Sequence, residues 1–555
     1  MTMSSDHAGS MKPDTALTTA PGLLQPFLAF LRHAAAAQEN GRSEARSIWL
    51  QAAAHLHGID DDALAALRFA LVEQRRYPEA IMLADAVVRL RPDAAAARFH
   101  LGYVLQLANR HRDALAHYRH AMTIDPDFPL LKNNLAAALR AAGGDLDEAL
   151  ELLESAAEAQ PLNAMAWINL ATARRDHLDL DGALDAGFRS VELAPDDAQA
   201  LSNLALVLKE AQRWDEAEHY ARLAYERAPC DPAMRLNLAL LYLMRGNHTA
   251  GWPEHEARWE GSAELRGARP VFPKPQWQGE SLAGKTVLVW GEQGMGDLLQ
   301  FCRYIPMLAA RVHREGGRVI WNSFPQMGAL LSRSLGKYVD GYTAGGGVDS
   351  LPPFDYEIPL LSLPLVLGVD DETLSSTIPY LRPDAAARAA WRTRLAGEKR
   401  LKVGLAWTGN IRHQRNPFRR VGWERYADRF RDIDGVAFYS LQPGAADDVS
   451  AARAAGLAMT DHTAGFATFD DTAAFIGELD LVITICTSVA HLSGALGQRT
   501  WVLLDVNPHW PWLLGRRDSP WYPNTILYRQ RSFAQWDAVL DEVARDLGAL
   551  ARRRG

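Results

Sequence analysis

Four short segments combine residue types that could bind a phosphorylated substrate and move a proton. The first is Gly291-Glu-Gln-Gly-Met-Gly-Asp297, in which three glycines are closed by a carboxylate. Gly294 and Gly296 allow a tight turn and let a ligand approach the backbone. A helix opening directly behind such a loop can hold an anion on its free N–H groups. No Gly-Lys-Ser/Thr follows, so it is not a P-loop, and the glycine spacing is wrong for a dinucleotide fingerprint. Asp297 falls in the first helical turn, where it is either an N-terminal cap or a general base. The second segment, Trp407 to Arg420, sets Thr408, Gly409 and Asn410 beside Arg412, His413, Arg415, Arg419 and Arg420. Clustered guanidinium groups suit phosphate oxygens through paired hydrogen bonds; the plainer reading is a solvated basic loop. The third is Thr487-Ser-Val-Ala-His491. Thr487 and Ser488 open a helix there and offer hydroxyl and N–H groups to a pyrophosphate, with His491 on the first turn as a further contact or a packing residue. The fourth is Ser440-Leu-Gln-Pro-Gly444, a strand end where Gln442 can meet a base or a ribose.

Each segment follows a short β-branched run, and these runs are the elements that must position it. Strands are expected at Thr286–Trp290, Arg318–Trp321 and around Tyr356–Ile358. A second series is expected at Leu401–Trp407, Val436–Ser440, Leu481–Ile485 and Thr500–Leu504. Strand–helix alternation, twice over, predicts two doubly wound Rossmann-like α/β domains. Such sheets bind ligands beyond the carboxyl ends of their strands. The expected bounds are 284–385 for the first domain and 398–530 for the second, with a closing helix over 531–555. Pro270, Pro273 and Pro275 predict an extended linker over 262–283. Trp510, Trp512, Trp521 and Tyr522, interleaved with prolines, are expected to shape a rigid, packed loop.

The first half of the chain is periodic. Pro92, Pro126, Pro161, Pro195 and Pro229 recur at steps of 34, 35, 34 and 34 residues. Ala80, Ala114, Ala149, Ala183 and Ala217 each stand twelve residues earlier, and Gly102, Ala136, Ala171, Ala205 and Ala239 hold a second small position. This is the tetratricopeptide (TPR) period. Small side chains let two antiparallel helices approach, proline stops the second helix, and each pair needs the next to cover its apolar face. The array is read as 22–260, with an alanine-rich degenerate capping unit at its start. Trp252 and Trp259 are expected to cover its far end. Two residues before each second small position stand His100, Asn134, Asn169, Asn203 and Asn237. A row of amides can pair with the backbone of an extended peptide without reading its side chains. The same amides can instead tie neighbouring repeats together. The row resembles the asparagine ladder of the eukaryotic O-GlcNAc transferases, which implies an acceptor polypeptide in the groove.

Composition bounds the class. The 555 residues are 48% hydrophobic and 23% charged, a globular profile with room for three or four domains. No apolar run approaches the roughly 18 residues that span a bilayer, and the N-terminal stretch has no apolar core behind a basic start. Three cysteines at metal-unlike spacing argue against a disulfide framework or a metal centre, so a reducing cytoplasm is expected. A net charge of −8 argues against a general binder of nucleic acid or anionic membranes.

Taken in order, GEQGMGDLLQFCRYIP, LAWTGN, DLVITICTSVAHLSGALG and WLLGRRDSPWYP resemble the bacterial TPR proteins that carry a glycosyltransferase family 9 domain, the ADP-heptose:lipopolysaccharide heptosyltransferase-like family. The resemblance covers about residues 250–535. It implies a TPR superhelix followed by a GT-B fold. It also implies a nucleotide-sugar donor with no further cofactor, and inverting transfer without a metal. The family's proposed base matches Asp297. Its donor-phosphate motif maps onto Thr487, Ser488 and His491, but Cys486 stands where the motif has aspartate. The lysine used by some members is absent from the basic loop, which leaves Arg415 or His413 to serve beside Thr408, Gly409, Asn410, Gln442, Gly294 and Gly296. The resulting expectation is transfer of a sugar to a protein, such as a flagellin or surface adhesin, gripped by Asn134, Asn169, Asn203 and Asn237. The alternatives are lipopolysaccharide or glycan assembly, and a protein-binding scaffold with a degenerate transferase domain.

Overall fold

The computed structural model describes residues 22–292, 294–370, 373–374, 378–411 and 413–553. The N-terminal stretch, Arg412 of the basic loop and the last two residues of the closing segment lie outside the described residues. The chain divides into two compact units, Met1–Pro195 and Asp196–Gly555.

The described part of the first unit is helical. Leu24–Glu39 and Ser43–Ala54 precede four helix pairs: Asp61–Glu73 with Tyr77–Leu90, Ala95–Leu107 with His111–Ile124, Leu131–Ala142 with Leu146–Ala159, and Ala164–Asp176 with Leu180–Leu193. The periodic alanines explain the packing. Ala80, Ala114, Ala149 and Ala183 are fully buried, because the partner helix lies where a longer side chain would be. Gly102 is tighter still: a Cβ there would sit 2.7 Å from the ring of Tyr118. Pro92, Pro126, Pro161 and Pro195 each stand two residues beyond the second helix of a pair, where the hydrogen-bond ladder has ended. Asp145 and Asp179 cap the following helices by accepting backbone N–H groups at 2.9 Å.

The second unit opens with two more helix pairs, Ala198–Glu210 with Trp214–Arg227 and Pro232–Met244 with His248–His255, and the short turn Arg258–Gly261. Ala205, Ala217 and Ala239 are buried here as well. Two parallel sheets follow. The first contains β1 (Thr286–Trp290), β2 (Arg318–Ser323), β3 (Gly341–Ala344) and β4 (Tyr356–Pro359), in the order β3-β2-β1-β4. The second contains β5 (Leu401–Ala406), β6 (Val436–Ser440), β7 (Met459–Thr460), β8 (Leu481–Ile485), β9 (Thr500–Leu504) and β10 (Thr525–Arg529), in the order β10-β9-β8-β5-β6-β7. All the pairings are parallel and the strands alternate with helices, so both sheets are α/β layers. The chain reverses direction across each sheet at β1 and at β5. Those two carboxyl ends carry the glycine loop and the basic loop, as expected for binding at a switch point.

Four of the expected strands fall at the observed bounds, whereas β3, β7 and β10 went unanticipated. β3 and β7 are short edge strands of four and two residues, too brief to show a period. The expected linker over 262–283 is extended but not free. Trp277 donates to the Glu357 carbonyl at 2.8 Å and Glu357 donates back to the Pro275 carbonyl at 3.0 Å. The Trp277 indole is fully buried, so the segment lengthens the first sheet beside β4. The helix Ala385–Leu395 docks on the second sheet's layer, where Arg388 and Arg392 both reach Glu478. The closing helix runs Asp537–Arg552 and buries Val539, Leu540, Val543 and Leu547, with Asp541 paired to Arg429 at 2.7 Å. Among the described residues, no helix is long and apolar enough to cross a membrane.

Candidate functional site in the second unit

Asp297 lies on the helix Met295–Phe301, immediately after the glycine loop. One of its carboxylate oxygens accepts the Gly294 N–H at 3.3 Å, so it does cap this helix. Asp297 is half-buried by accessible surface, and desolvation by the protein packed around its carboxyl raises it to about 7. The Gly294 bond and the Arg258 and Arg419 guanidinium groups hold that rise back, while Glu292 adds to it. A carboxyl poised near neutrality can accept a proton and release it again, which a solvent-exposed aspartate does poorly.

The helix Met295–Phe301 packs against the helix Ser488–Ala495 that follows β8. Gly296 is the point of contact: a Cβ there would lie 3.0 Å from His491 Cδ2 and 3.6 Å from Ser488 Cα. Its lack of a side chain therefore permits close contact between the two helices. Gly294 is exposed. His491 follows the packing alternative. It is buried, with Nδ1 3.0 Å from the Tyr522 hydroxyl and its ring stacked on Trp512 at 5.1 Å. Burial lowers it to about 3, so it is neutral and supplies no charge to a phosphate. Thr487 caps this helix at Val489 N, and its hydroxyl is 3.3 Å from that of Thr484. Ser488, on the contact side, and Thr487 are half-buried.

The basic loop is organised by Asn416, whose amide accepts the Gly409 N–H at 3.1 Å and donates to the Thr408 hydroxyl at 3.3 Å. Gln442 accepts the Thr408 N–H at 3.3 Å, which brings the ends of β5 and β6 together. Asn410 is exposed and its carbonyl accepts from His413 N. His413 is half-buried, accepts from Arg415 N at 3.1 Å, and is lowered by burial first and the Arg419 charge second. Arg415 is not available as expected. It pairs with Glu210 on the helix Ala198–Glu210 and with Asp505 at 2.6 Å, beyond β9. Among the described arginines of the loop, Arg420 is exposed and Arg419 is turned inward. Its guanidinium lies against the Gly409 backbone and donates to the Cys486 carbonyl at 3.2 Å, while its buried Nε finds no partner among the described residues. Arg419 was part of the arginine cluster in the sequence, but no local pattern separates it from Arg415.

Cys486 is buried and accepts the Trp512 indole N–H at 3.1 Å; burial pushes its thiol up. Trp510, Trp512, Trp521 and Tyr522 are all buried, as the packing reading expected. Arg303 is stacked under Tyr380, Trp521 and Tyr522 at 4.8, 5.0 and 4.9 Å. Trp252 joins them, 5.4 Å from Trp510 and donating to the Val369 carbonyl at 2.9 Å, while Trp259 packs on Trp290 at 5.5 Å. These tryptophans therefore fasten the last repeat helices to the sheet layers. The contacts are tight enough to test. A Cβ on Gly494 would meet the Tyr522 ring at 2.5 Å. Gly494→Ala is expected to cost about 1–3 kcal/mol by overpacking, read as a lower denaturation midpoint with unchanged m-value.

Another buried network ties the glycine loop to the last repeat helices. Arg258, 1% exposed, grips both Glu292 oxygens at 2.9 Å and also donates to the Ser362 hydroxyl at 2.9 Å and to Glu256 at 2.8 Å. Glu292, 2% exposed, accepts the Leu361 N–H at 2.8 Å. Sequence reasoning passed over Glu292, although it lies inside the motif, because its partner is 34 residues away.

The ladder amides have partners in the array. Asn134 donates to the Leu130 carbonyl at 2.9 Å, and Asn169 donates to Asn133 at 2.9 Å in the preceding repeat. In the second unit, Asn203 donates to the Gln199 carbonyl at 3.1 Å and Asn237 to the Ser202 hydroxyl at 2.9 Å. Asn169 and Asn237 therefore tie adjacent repeats, as the plainer reading proposed. His100, at the first rung, is lowered to about 4 by burial.

Comparison with known proteins agrees with the first half of this picture. A tetratricopeptide repeat model matches residues 69–127, 134–198 and 202–263. Protein FlbA of Caulobacter vibrioides is 27% identical over 488 residues, which is 83% of this chain and 79% of that protein. A thermophilic TPR protein of Thermus thermophilus is similar in structure at 22% identity and a TM-score of 0.29, over 31% of this chain and 95% of that one. Pseudomonas aeruginosa pilF is similar at 18% identity and a TM-score of 0.31, over 37% and 94%. The repeat period, the buried alanines and the matched segments agree that this chain carries an N-terminal solenoid of tetratricopeptide repeats, followed by α/β layers built on parallel sheets.

Proposed function

We propose that the chain is an inverting, metal-independent glycosyltransferase of GT-B form that moves a sugar from a nucleotide-sugar donor to a protein held by the TPR groove. The observation that carries this reading is the placement of Asp297 in the first helical turn beyond β1, on a helix that packs against the helix Ser488–Ala495, with Arg419 bound to the Cys486 carbonyl just before that helix. In the reaction, an acceptor hydroxyl attacks the anomeric carbon and gives its proton to Asp297. The bond from that carbon to the phosphate oxygen breaks, and the leaving nucleotide takes the electron pair. Arg419, with the Thr408–Gly409 turn, stabilises the charge developing on the departing phosphate. Flagellins and surface adhesins are acceptors by analogy alone. A thermal-shift panel of sugar nucleotides, followed by intact-mass analysis of candidate acceptor proteins, tests the reading. Stabilisation by one donor and a sugar-sized mass gain on a protein are expected. Transfer to a saccharide acceptor alone would favour glycan assembly instead.

A second reading has one observation in its favour. Where the resembled motif has aspartate, Cys486 is engaged by the Trp512 indole and offers no carboxylate to a sugar hydroxyl. A repeat scaffold with a degenerate transferase domain would fit that loss. The two readings separate in Cys486→Asp. Activity appearing only in the variant supports degeneration, whereas sugar-nucleotide turnover by the wild type that disappears in Asp297→Asn excludes it.

A further inference from the structure

The Arg415 pairing has a charge balance that bears on the proposed donor site. Glu210 is 2% exposed and is the last residue of the helix Ala198–Glu210. It pairs with Arg415 through one oxygen, which also accepts the Asn507 amide at 3.1 Å, and through the other at 3.3 Å. Asp505, also buried, takes Arg415 at 2.6 Å. One guanidinium thus faces two buried carboxylates. Burial raises the Asp505 carboxyl; Arg415 and Arg419 lower it, and Glu210 raises it. Arg415 itself is held in the charged form.

The cluster belongs to the same loop as Arg419. Arg415 immediately precedes the turn Asn416–Arg419, whose Asn416 organises Thr408 and Gly409. Both carboxylates hold the Arg415 guanidinium, and in a low-dielectric setting that attraction is stronger than in water, so it competes with an incoming anion for the same donors. The helix that ends in Glu210 also carries Asn203, two turns earlier. The repeats of the second unit therefore reach the proposed donor loop through a carboxylate.

We propose that Glu210 is a positioning residue through which these repeats set the donor affinity of the basic loop, by withholding Arg415 from the nucleotide phosphates. This rests on the reading of the loop as the donor site. Ordinary structural tethering predicts that loosening Glu210 weakens donor binding. Withholding predicts the opposite sign.

The test is titration of the full-length protein with ADP, GDP, UDP and CDP, with Glu210→Gln compared to wild type. Glutamine keeps the shape of the side chain and removes its charge. Dissociation constants are expected to fall by about five- to tenfold for the nucleotide that binds, and the gain should shrink as salt rises. Asp505→Asn neutralises the other carboxylate and should act in the same direction, so the inference does not hang on one variant folding. Tighter binding should also disappear in Glu210→Gln/Arg415→Gln. Unchanged or weaker binding in both single variants, with wild type still binding a nucleotide, overturns the inference and leaves the donor site standing. No nucleotide bound by any of the folded proteins overturns the donor site and this inference together.

Discussion

Asp297→Asn is expected to lower sugar transfer about 1000-fold, within the range set by losing a general base, while changing donor affinity by no more than about threefold. The carboxyl sits at the end of β1, whereas the groups proposed to hold the donor extend from β5 and β8, which is why the two effects should separate. A matched loss of donor binding and turnover would reduce Asp297 to its capping role toward Gly294. The pH profile gives an independent check. The base must be ionised, so kcat/KM should rise with pH to a plateau with its inflection at about 7. Stability should move the other way. The folded carboxyl keeps its proton over the interval between the unfolded value of roughly 4 and about 7, so the folded state binds more protons there. Stability from this group therefore falls as pH rises across that interval and is flat above it. The amide that replaces the carboxyl in Asp297→Asn carries no such titration. The variant should melt higher than wild type by a margin that grows from pH 4 to pH 7 and then stays constant. An inverted or absent trend in the melting difference would show that burial does not raise this carboxyl.

The second large effect is expected at Arg258. Its guanidinium is bound to Glu292, Glu256 and Ser362 and is almost inaccessible to solvent. Arg258→Met leaves Glu292 buried without its counter-charge, and breaking a buried pair from one side costs about 3–5 kcal/mol. For a unit of this size, that corresponds to a fall in melting temperature of about 4–7 °C. The double variant Arg258→Met/Glu292→Leu removes both charges and should recover most of the loss, because the dominant penalty is the stranded carboxylate. Additive losses in the double variant would show that the guanidinium acts by packing and not by compensating Glu292. The position matters beyond stability. Glu292 is the second residue of the glycine loop, and its charge also raises Asp297. The ion pair thus anchors the loop to the turn Arg258–Gly261 at the end of the repeats.

Much of the architecture could be read locally. The 34-residue step fixes where each helix pair ends because proline halts a helix and alanine permits close approach, and both effects act within one or two turns. The strand ends at Trp290, Ser440, Ile485 and Leu504 were legible for a similar reason: buried parallel strands are short apolar runs with turn residues behind them. The two-residue strand β7 carries too few residues for any period, and the extended segment around Trp277 looked like a linker because its partner, Glu357, lies far along the chain.

The sequence by itself determined the repeat array, the alternation of strands and helices, and the loops that gather at the strand ends, because each is set by interactions among near neighbours. It could not apportion the charged residues within those loops. Arg415 and Arg419 are four residues apart and alike in type, yet one is taken by Glu210, 205 residues away, and the other lies over Gly409 and the Cys486 carbonyl. Gly296 was read as a ligand group and His491 as either a ligand contact or a packing residue, and the fold sets the two against each other between helices. Only the tertiary structure decided these roles. Charge pairing and desolvation depend on which distant elements arrive at the same place, and a buried cation takes whichever carboxylate is nearest in space.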